Sequence, residues 1–135
     1  MITDAVRSDS LAKAYLDRAL GFNLKAPYSG YVFLNEARAV VGSFVLNGYE
    51  SGNVELTVAC DDKLTIRAVR FMVYLCFGDL KCRRITARTR ASNTRAIHAI
   101  LKSGAKQEGV LREYFDGEDA VIFGLLANEQ KVVRI

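Results

Sequence analysis

At 135 residues, half of them hydrophobic, with a single proline and a net charge of +4, the chain is long enough for one core that buries roughly 68% of the unfolded surface without staples. That composition excludes global disorder, and no run approaches the ~20 apolar residues of a membrane span. Three cysteines without a CxxC spacing and one histidine, His98, suggest neither a disulfide framework nor a zinc site. The opening MITDAVRSDS lacks a charged-then-apolar leader profile, so a cytoplasmic single domain over 1–135 with buried thiols is expected.

In chain order, Met1 to Val6 is expected as a short strand. A helix follows, capped by Ser8 or Ser10, carrying Leu11, Tyr15, Leu16, Ala19 and Leu20 on one face and ending at Gly21. Lys25 to Gly30 reads as a loop. Tyr31–Leu34 and Arg38–Leu46 suit an antiparallel hairpin, Asn47–Asn53 a turn, and Val54–Cys60 a strand. Alternation along that strand sets Glu55 apart from Val54, Leu56 and Val58. Asp61 or Asp62 is expected to cap a long helix over Lys63–Asp79. Its stripe Leu64, Ala68, Phe71, Met72 and Leu75, with a second stripe through Ile66, Val69, Val73 and Phe77, predicts burial on two sides and a polar edge of Arg67, Arg70 and Tyr74.

The stretch from Cys82 to Tyr114 reads as strand, turn, helix, strand. Ile85 and Ala87 alternate with Thr86 and Arg88; Ala91, Ser92 and Asn93 supply a helix start; Ile97, Ile100 and Leu101 recur at helical spacing; Gly104 follows the last of them. Gln107–Phe115 and Asp119–Leu126 flank Asp116–Gly117, a hairpin signal. Val132, Val133 and Ile135 leave association, including a homodimer, open.

RASN at 90–93, SGA at 103–105, EGVLRE at 108–113 and DAVIFGLL at 119–126, with TIRAVRFMVYLCF at 65–77 as the central helix, resemble the GNAT superfamily of acyl-CoA-dependent N-acyltransferases. The resemblance is closest to the ribosomal-protein-acetyltransferase-like branch found in bacterial and bacteriophage genomes. It implies an α+β fold, a mostly antiparallel sheet of about six or seven strands with helices on both faces. It also implies acetyl-CoA as acyl donor and an amine of a protein or small molecule as acceptor. The coenzyme pyrophosphate would lie on the start of the central helix, at Thr65, Ile66, Arg67 and Ala68, with Asn93 toward the pantetheine arm and Arg95 toward phosphate. Asp61–Thr65 departs from the family by lacking glycine. Ile100 stands where many members carry a tyrosine acid, and Arg88 where some carry a carboxylate. Glu55 is then the candidate general base and Tyr114 the candidate acid.

Six basic residues and no acidic one lie between Lys81 and Arg95, which implies a local positive field. Arg84, Arg88 and Arg90 share one strand parity and Arg83 the other, so no continuous stripe forms and specific nucleic-acid binding is not expected. Two functional classes follow: an acyl-CoA-dependent N-acyltransferase, or a non-catalytic domain of the same fold that binds or scaffolds.

Overall fold

The computed structural model describes residues 1–134. One seven-stranded sheet is built from β1 (Ile2–Arg7), β2 (Tyr28–Asn35), β3 (Val40–Glu50), β4 (Asn53–Cys60), β5 (Arg84–Arg90), β6 (Lys106–Phe115) and β7 (Glu118–Leu126), in the spatial order β1-β2-β3-β4-β5-β7-β6. Every neighbouring pair is antiparallel except β4 and β5, which run parallel. Helix α1 (Asp9–Leu20) lies between β1 and β2, α2 (Ile66–Tyr74) continues into a π-helical turn at Leu75–Asp79, and α3 (Thr94–Lys102) joins β5 to β6. The expected mixed, mostly antiparallel α+β architecture is what these residues form.

Strand alternation divides the apolar residues between two faces. On one, Val32, Leu34 and Val45 pack against Ala12 and Leu16 of α1. On the other, Phe33, Phe44, Val54, Ile85, Phe123 and Leu125 pack against Ala68, Met72, Val73 and Phe77. Glu55 and Thr57 share the α1 face with Val45, whose register partner is Thr57. Helix α1 covers β2, β3 and part of β4, so the same face of β5, β7 and β6 is left open. Among the described residues no helix is long and apolar enough to cross a membrane, and no cluster of His, Cys, Asp and Glu is placed to hold a metal.

Local chemistry explains the boundaries, including those the sequence misplaced. Ser8 caps α1, its Oγ accepting from the Leu11 N–H at 3.3 Å, and Gly21 ends it at φ 70°. Strand β2 begins at Tyr28, inside the expected loop, and β3 starts at Val40 and runs on to Glu50. The central helix starts later than expected: Thr65, not Asp61 or Asp62, is the cap, and its hydroxyl accepts from Ala68 N–H at 3.2 Å. Both aspartates are engaged elsewhere. Asp62 pairs with the Met1 amine at 2.9 Å, and Asp61 lies near the phenol of Tyr15. Phe71, placed by periodicity in the buried stripe, is 37% exposed; it stands edge-on to Tyr31 and Phe44 at 5.7 and 6.0 Å.

After β7 the chain folds back over the helices. Lys131 N–H donates to Ser103 O at 2.9 Å, and Arg70 Nε donates to Val132 O at 3.1 Å. Val132 and Val133 pack on the core; Ile135, grouped with them in the sequence, lies outside the described residues. Gly104 permits this return, because it has φ 106° and a Cβ there would collide with the Glu129 carbonyl oxygen. Gly104→Ala is therefore expected to cost more than ~1 kcal/mol, as at a backbone position that a side chain cannot adopt, read as a lowered denaturation midpoint. A midpoint unchanged from wild type would mean that the tail is not held against α3.

Candidate active site

The site originates in a broken strand ladder. β4 and β5 are paired only from Asn53↔Arg84 to Leu56↔Ala87. Beyond that point Thr57–Cys60 stays with β3, and Arg88–Arg90 stays with β7. The two strands splay, and the facing edges expose backbone N–H and C=O groups inside the sheet instead of at its rim. Such groups require partners, and an extended amide-bearing ligand can supply them as an added strand does.

On the α2/α3 face the splay opens into a cleft of about 870 Å³. Val58, Cys60, Thr65, Ile66 and Val69 line one side and Asn93, Arg95, His98 and Ala99 the other, with Lys131 and Val132 of the returning tail also contributing. A smaller apolar recess of about 60 Å³ lies deeper, bounded by Leu56, Ile100 and Phe123. The N–H groups of Ile66 and Arg67 take no acceptor among the described residues, as is general for a first helical turn. Lys63, Arg95, Lys102 and Lys131 also line the cleft. The carboxylate of Asp62 is there too, held below the usual range by its hydrogen bond to the Met1 amine. The local field therefore favours an anion. The Cys60 thiol, pushed up to about 12 by burial and by Asp61 and Asp62, stays protonated at neutral pH and is no nucleophile.

Across the sheet, on the α1 face, a second constellation sits at the apex of the splay. Arg88 Nη2 donates to Glu55 Oε1 at 2.5 Å, and Arg88 Nη1 donates to the Tyr114 hydroxyl at 3.0 Å. The Tyr114 ring meets Phe22 edge-on at 6.4 Å. The other Glu55 oxygen, Oε2, lies against Gly48, where a Cβ would come within 2.9 Å of it. Flanking pairs continue the row: Arg84 forks onto Glu108, and Arg90 meets Glu118 at 3.2 Å. Each parity-sharing arginine of β5 thus has a carboxylate partner, so the positive field read from the sequence is locally neutralised on this face.

Of the residues singled out from sequence, Thr65, Ile66, Asn93 and Arg95 come together in the cleft, and Glu55 and Tyr114 come together around Arg88. Arg67 is exposed and acts on Asp4 through its charge, and Ala68 is buried with its N–H already taken by Thr65. Asn93 caps α3 through Oδ1, which accepts from Ala96 N–H, leaving its amide donors free. Arg88, Lys63, Lys102 and Lys131 were not read as site residues. Only Arg88 left a signal, in the parity it shares with Arg84 and Arg90.

No protein-family model and no curated protein sequence matches the chain. Solved structures do match, and they share the fold of the GNAT acetyltransferases. The dodecameric spermidine N-acetyltransferase from Vibrio cholerae superposes with a TM-score of 0.73 at 12% identity, over 93% of this chain and 94% of that one. A putative acetyltransferase gives 0.68 at 19% identity, over 91% and 78%. The ribosomal-protein-S5-alanine acetyltransferase from Vibrio fischeri gives 0.66 at 17%, over 77% and 64%.

The ion pairs of the α1 face set an acid limit on stability. Ser92, through hydrogen bonds, and then Arg90 hold the Glu118 carboxyl below its ordinary value. A depressed carboxyl stabilises the fold above its unfolded value, near 4.3, and loses that contribution as pH falls through the lower folded value. Glu118→Gln is expected to melt below wild type at pH 7, with the gap closing as the pH is taken below about 4. A gap of constant size across that range would show that the pair does not contribute.

Proposed function

We propose that this protein is an N-acyltransferase that takes an acetyl group from acetyl-CoA and delivers it to an amine of a protein or small molecule. The observation that carries the reading is the splay itself, with an anion-favouring cleft on one face and a carboxylate and a phenol on the other. The residues present suit such a donor. The first-turn N–H groups of α2, Lys63, Arg95 and Lys131 would receive its phosphates, and the open edge at Thr57–Cys60 would pair with the two amides of its pantetheine arm.

In this reading the amine approaches from the α1 face, where only one helix lies between β1 and β2 and the surface beyond β4 is open. Glu55 Oε2 takes a proton from the amine, directly or through one water, as nitrogen attacks the thioester carbonyl. The carbon–sulfur bond breaks, and the departing thiolate takes the proton of the Tyr114 hydroxyl. Solvent returns a proton from Glu55 to Tyr114. General acid and base assistance of this kind contributes typically 10²–10⁴-fold, and alignment of thioester and amine contributes the rest.

Two measurements test the reading. Acetyl-CoA at about 100 times its dissociation constant should add about 2.7 kcal/mol to stability, seen as a rise in melting temperature. No rise at millimolar acetyl-CoA would favour the non-catalytic binding module, the reading to which Ile100 and the glycine-free turn at Asp61–Thr65 lend support. For the chemistry, Glu55→Gln should slow transfer to a polyamine or an N-terminal alanine peptide more than Tyr114→Phe does, within the general-base range of about 10²–10⁴-fold, at unchanged acetyl-CoA affinity. A loss below about threefold, small against that range, would leave Glu55 a surface carboxylate.

A further inference from the structure

Among the described residues the guanidinium of Arg88 hydrogen-bonds both Glu55 and Tyr114, and it does so from the residue at which β5 leaves β4. We propose that Arg88 is the positioning residue of the site, holding the proton acceptor and the proton donor on one rigid fork. The inference rests on the acyl-transfer reading above and adds to it a residue that neither the strand pattern nor the resemblance assigns to the chemistry.

Three observations carry it. First, the contacts divide the labour of each partner. Arg88 occupies Oε1 of Glu55 and leaves Oε2 free beside Gly48, and by donating to the Tyr114 oxygen it leaves the phenolic hydrogen free to be given elsewhere. Second, the guanidinium is planar and its donors are fixed relative to one another, so the carboxylate and the phenol are set in a single geometry that a lysine ammonium would not impose. The ring of Tyr114 is held from its other sides by Phe22 and Phe115, and the Arg88 guanidinium lies over it at 5.4 Å. Third, Arg88 carries a cost that its neighbours do not. Its Nε is buried without a hydrogen-bond partner among the described residues, which leaves the desolvation of that group uncompensated. A pair serving stability alone gains little from that arrangement, since partly exposed ion pairs contribute little to stability.

Arg84 supplies the control. It lies on the same strand and the same face and forks onto Glu108, but touches neither Glu55 nor Tyr114.

The test measures steady-state acetyl transfer and melting temperature, with and without acetyl-CoA, for wild type, Arg88→Met, Arg88→Lys, Arg84→Met, Glu55→Gln and the Arg88→Met/Glu55→Gln double variant. Arg88→Met should lose at least tenfold in kcat with the KM for acetyl-CoA and its stabilising effect unchanged, because misplacement of reacting groups by ~1 Å can cost up to about 100-fold. Arg88→Lys should recover only part of the loss, and Arg84→Met should stay within about twofold of wild type, well outside that scale. In the double variant the losses should not multiply, since Glu55 without its holder is already misplaced. Multiplying losses, or equal losses in Arg88→Met and Arg84→Met, would overturn the proposal while leaving acyl transfer standing. If Arg88→Met does not fold, the comparison of Arg88→Lys with Arg84→Met decides: an Arg88→Lys rate equal to wild type overturns the proposal. A wild type that binds acetyl-CoA but transfers to neither acceptor would overturn both readings together.

Discussion

Everything distinctive about this molecule depends on the failure of β4 and β5 to stay paired. Parallel neighbours without intervening insertions can continue as long as both strands do, yet here the ladder stops after Leu56↔Ala87 while both strands run on. Each strand is held to its other neighbour, β4 to β3 through Cys60↔Gly42 and β5 to β7 through Arg90↔Ala120. The sheet therefore behaves as two twisted halves hinged along four residue pairs. A Cβ on Gly42 would collide with the side chain of Cys60, so a glycine on β3 is what lets β4 lie close at its diverging end. The break leaves the facing edges of Thr57–Cys60 and Arg88–Arg90 without a strand partner between them, and the cleft of the α2/α3 face opens there.

The two faces of the sheet at that break are prepared differently. On the α2/α3 side the charges are largely unmatched cations around two helix starts, a field suited to phosphate. On the α1 side the cations of β5 are matched, Arg84 with Glu108, Arg88 with Glu55 and Arg90 with Glu118. Burial is partial there, so the pairs contribute modestly to stability; their larger effect is to fix side-chain positions over a surface that no helix covers. On a face without a covering helix, side-chain positions have to be fixed from within the sheet, and cross-strand charge pairs do this.

How much of this was legible in the sequence can be argued residue by residue. Period-two patterning placed Glu55 away from Val54 and Leu56 and put Arg84, Arg88 and Arg90 on one face, because strand geometry is local. Element order from α1 to β7 was legible for the same reason. The start of α2 was not. Asp61 and Asp62 are good caps in isolation, but Asp62 is drawn to the Met1 amine and Asp61 toward Tyr15, contacts that span some sixty and forty-five residues of chain and outweigh local preference. Phe71 fits the apolar period yet sits at the edge of the helix contact, where Tyr31 and Phe44 receive it edge-on. The cleft lysines were invisible because Lys131 reaches the site only through the return of the tail across Ser103. The glutamate partners of the β5 arginines come from β4, β6 and β7, and no spacing along the chain announces them.

The placement of Tyr114 follows from a local irregularity in β6. Successive strand residues normally point to opposite faces, yet Tyr114 and Phe115 both contact Phe22. The register of β6 against β7 shifts between Leu111 and Phe115, with Glu113 at φ 56° and its N–H taken by Asp119 Oδ1 at 2.9 Å. This bulge re-aims the strand end, turning the Tyr114 hydroxyl inward along the open face until it meets Arg88. On the α3 side the corresponding opportunity is closed: Ile100 faces the apolar recess, and Cys60 keeps its proton. Among the described residues the lining of that recess carries no carboxylate, phenol or imidazole, and the Tyr114 hydroxyl stands on the other face of the sheet. The bulge at Glu113 is the feature that sets that hydroxyl beside Arg88 and Glu55.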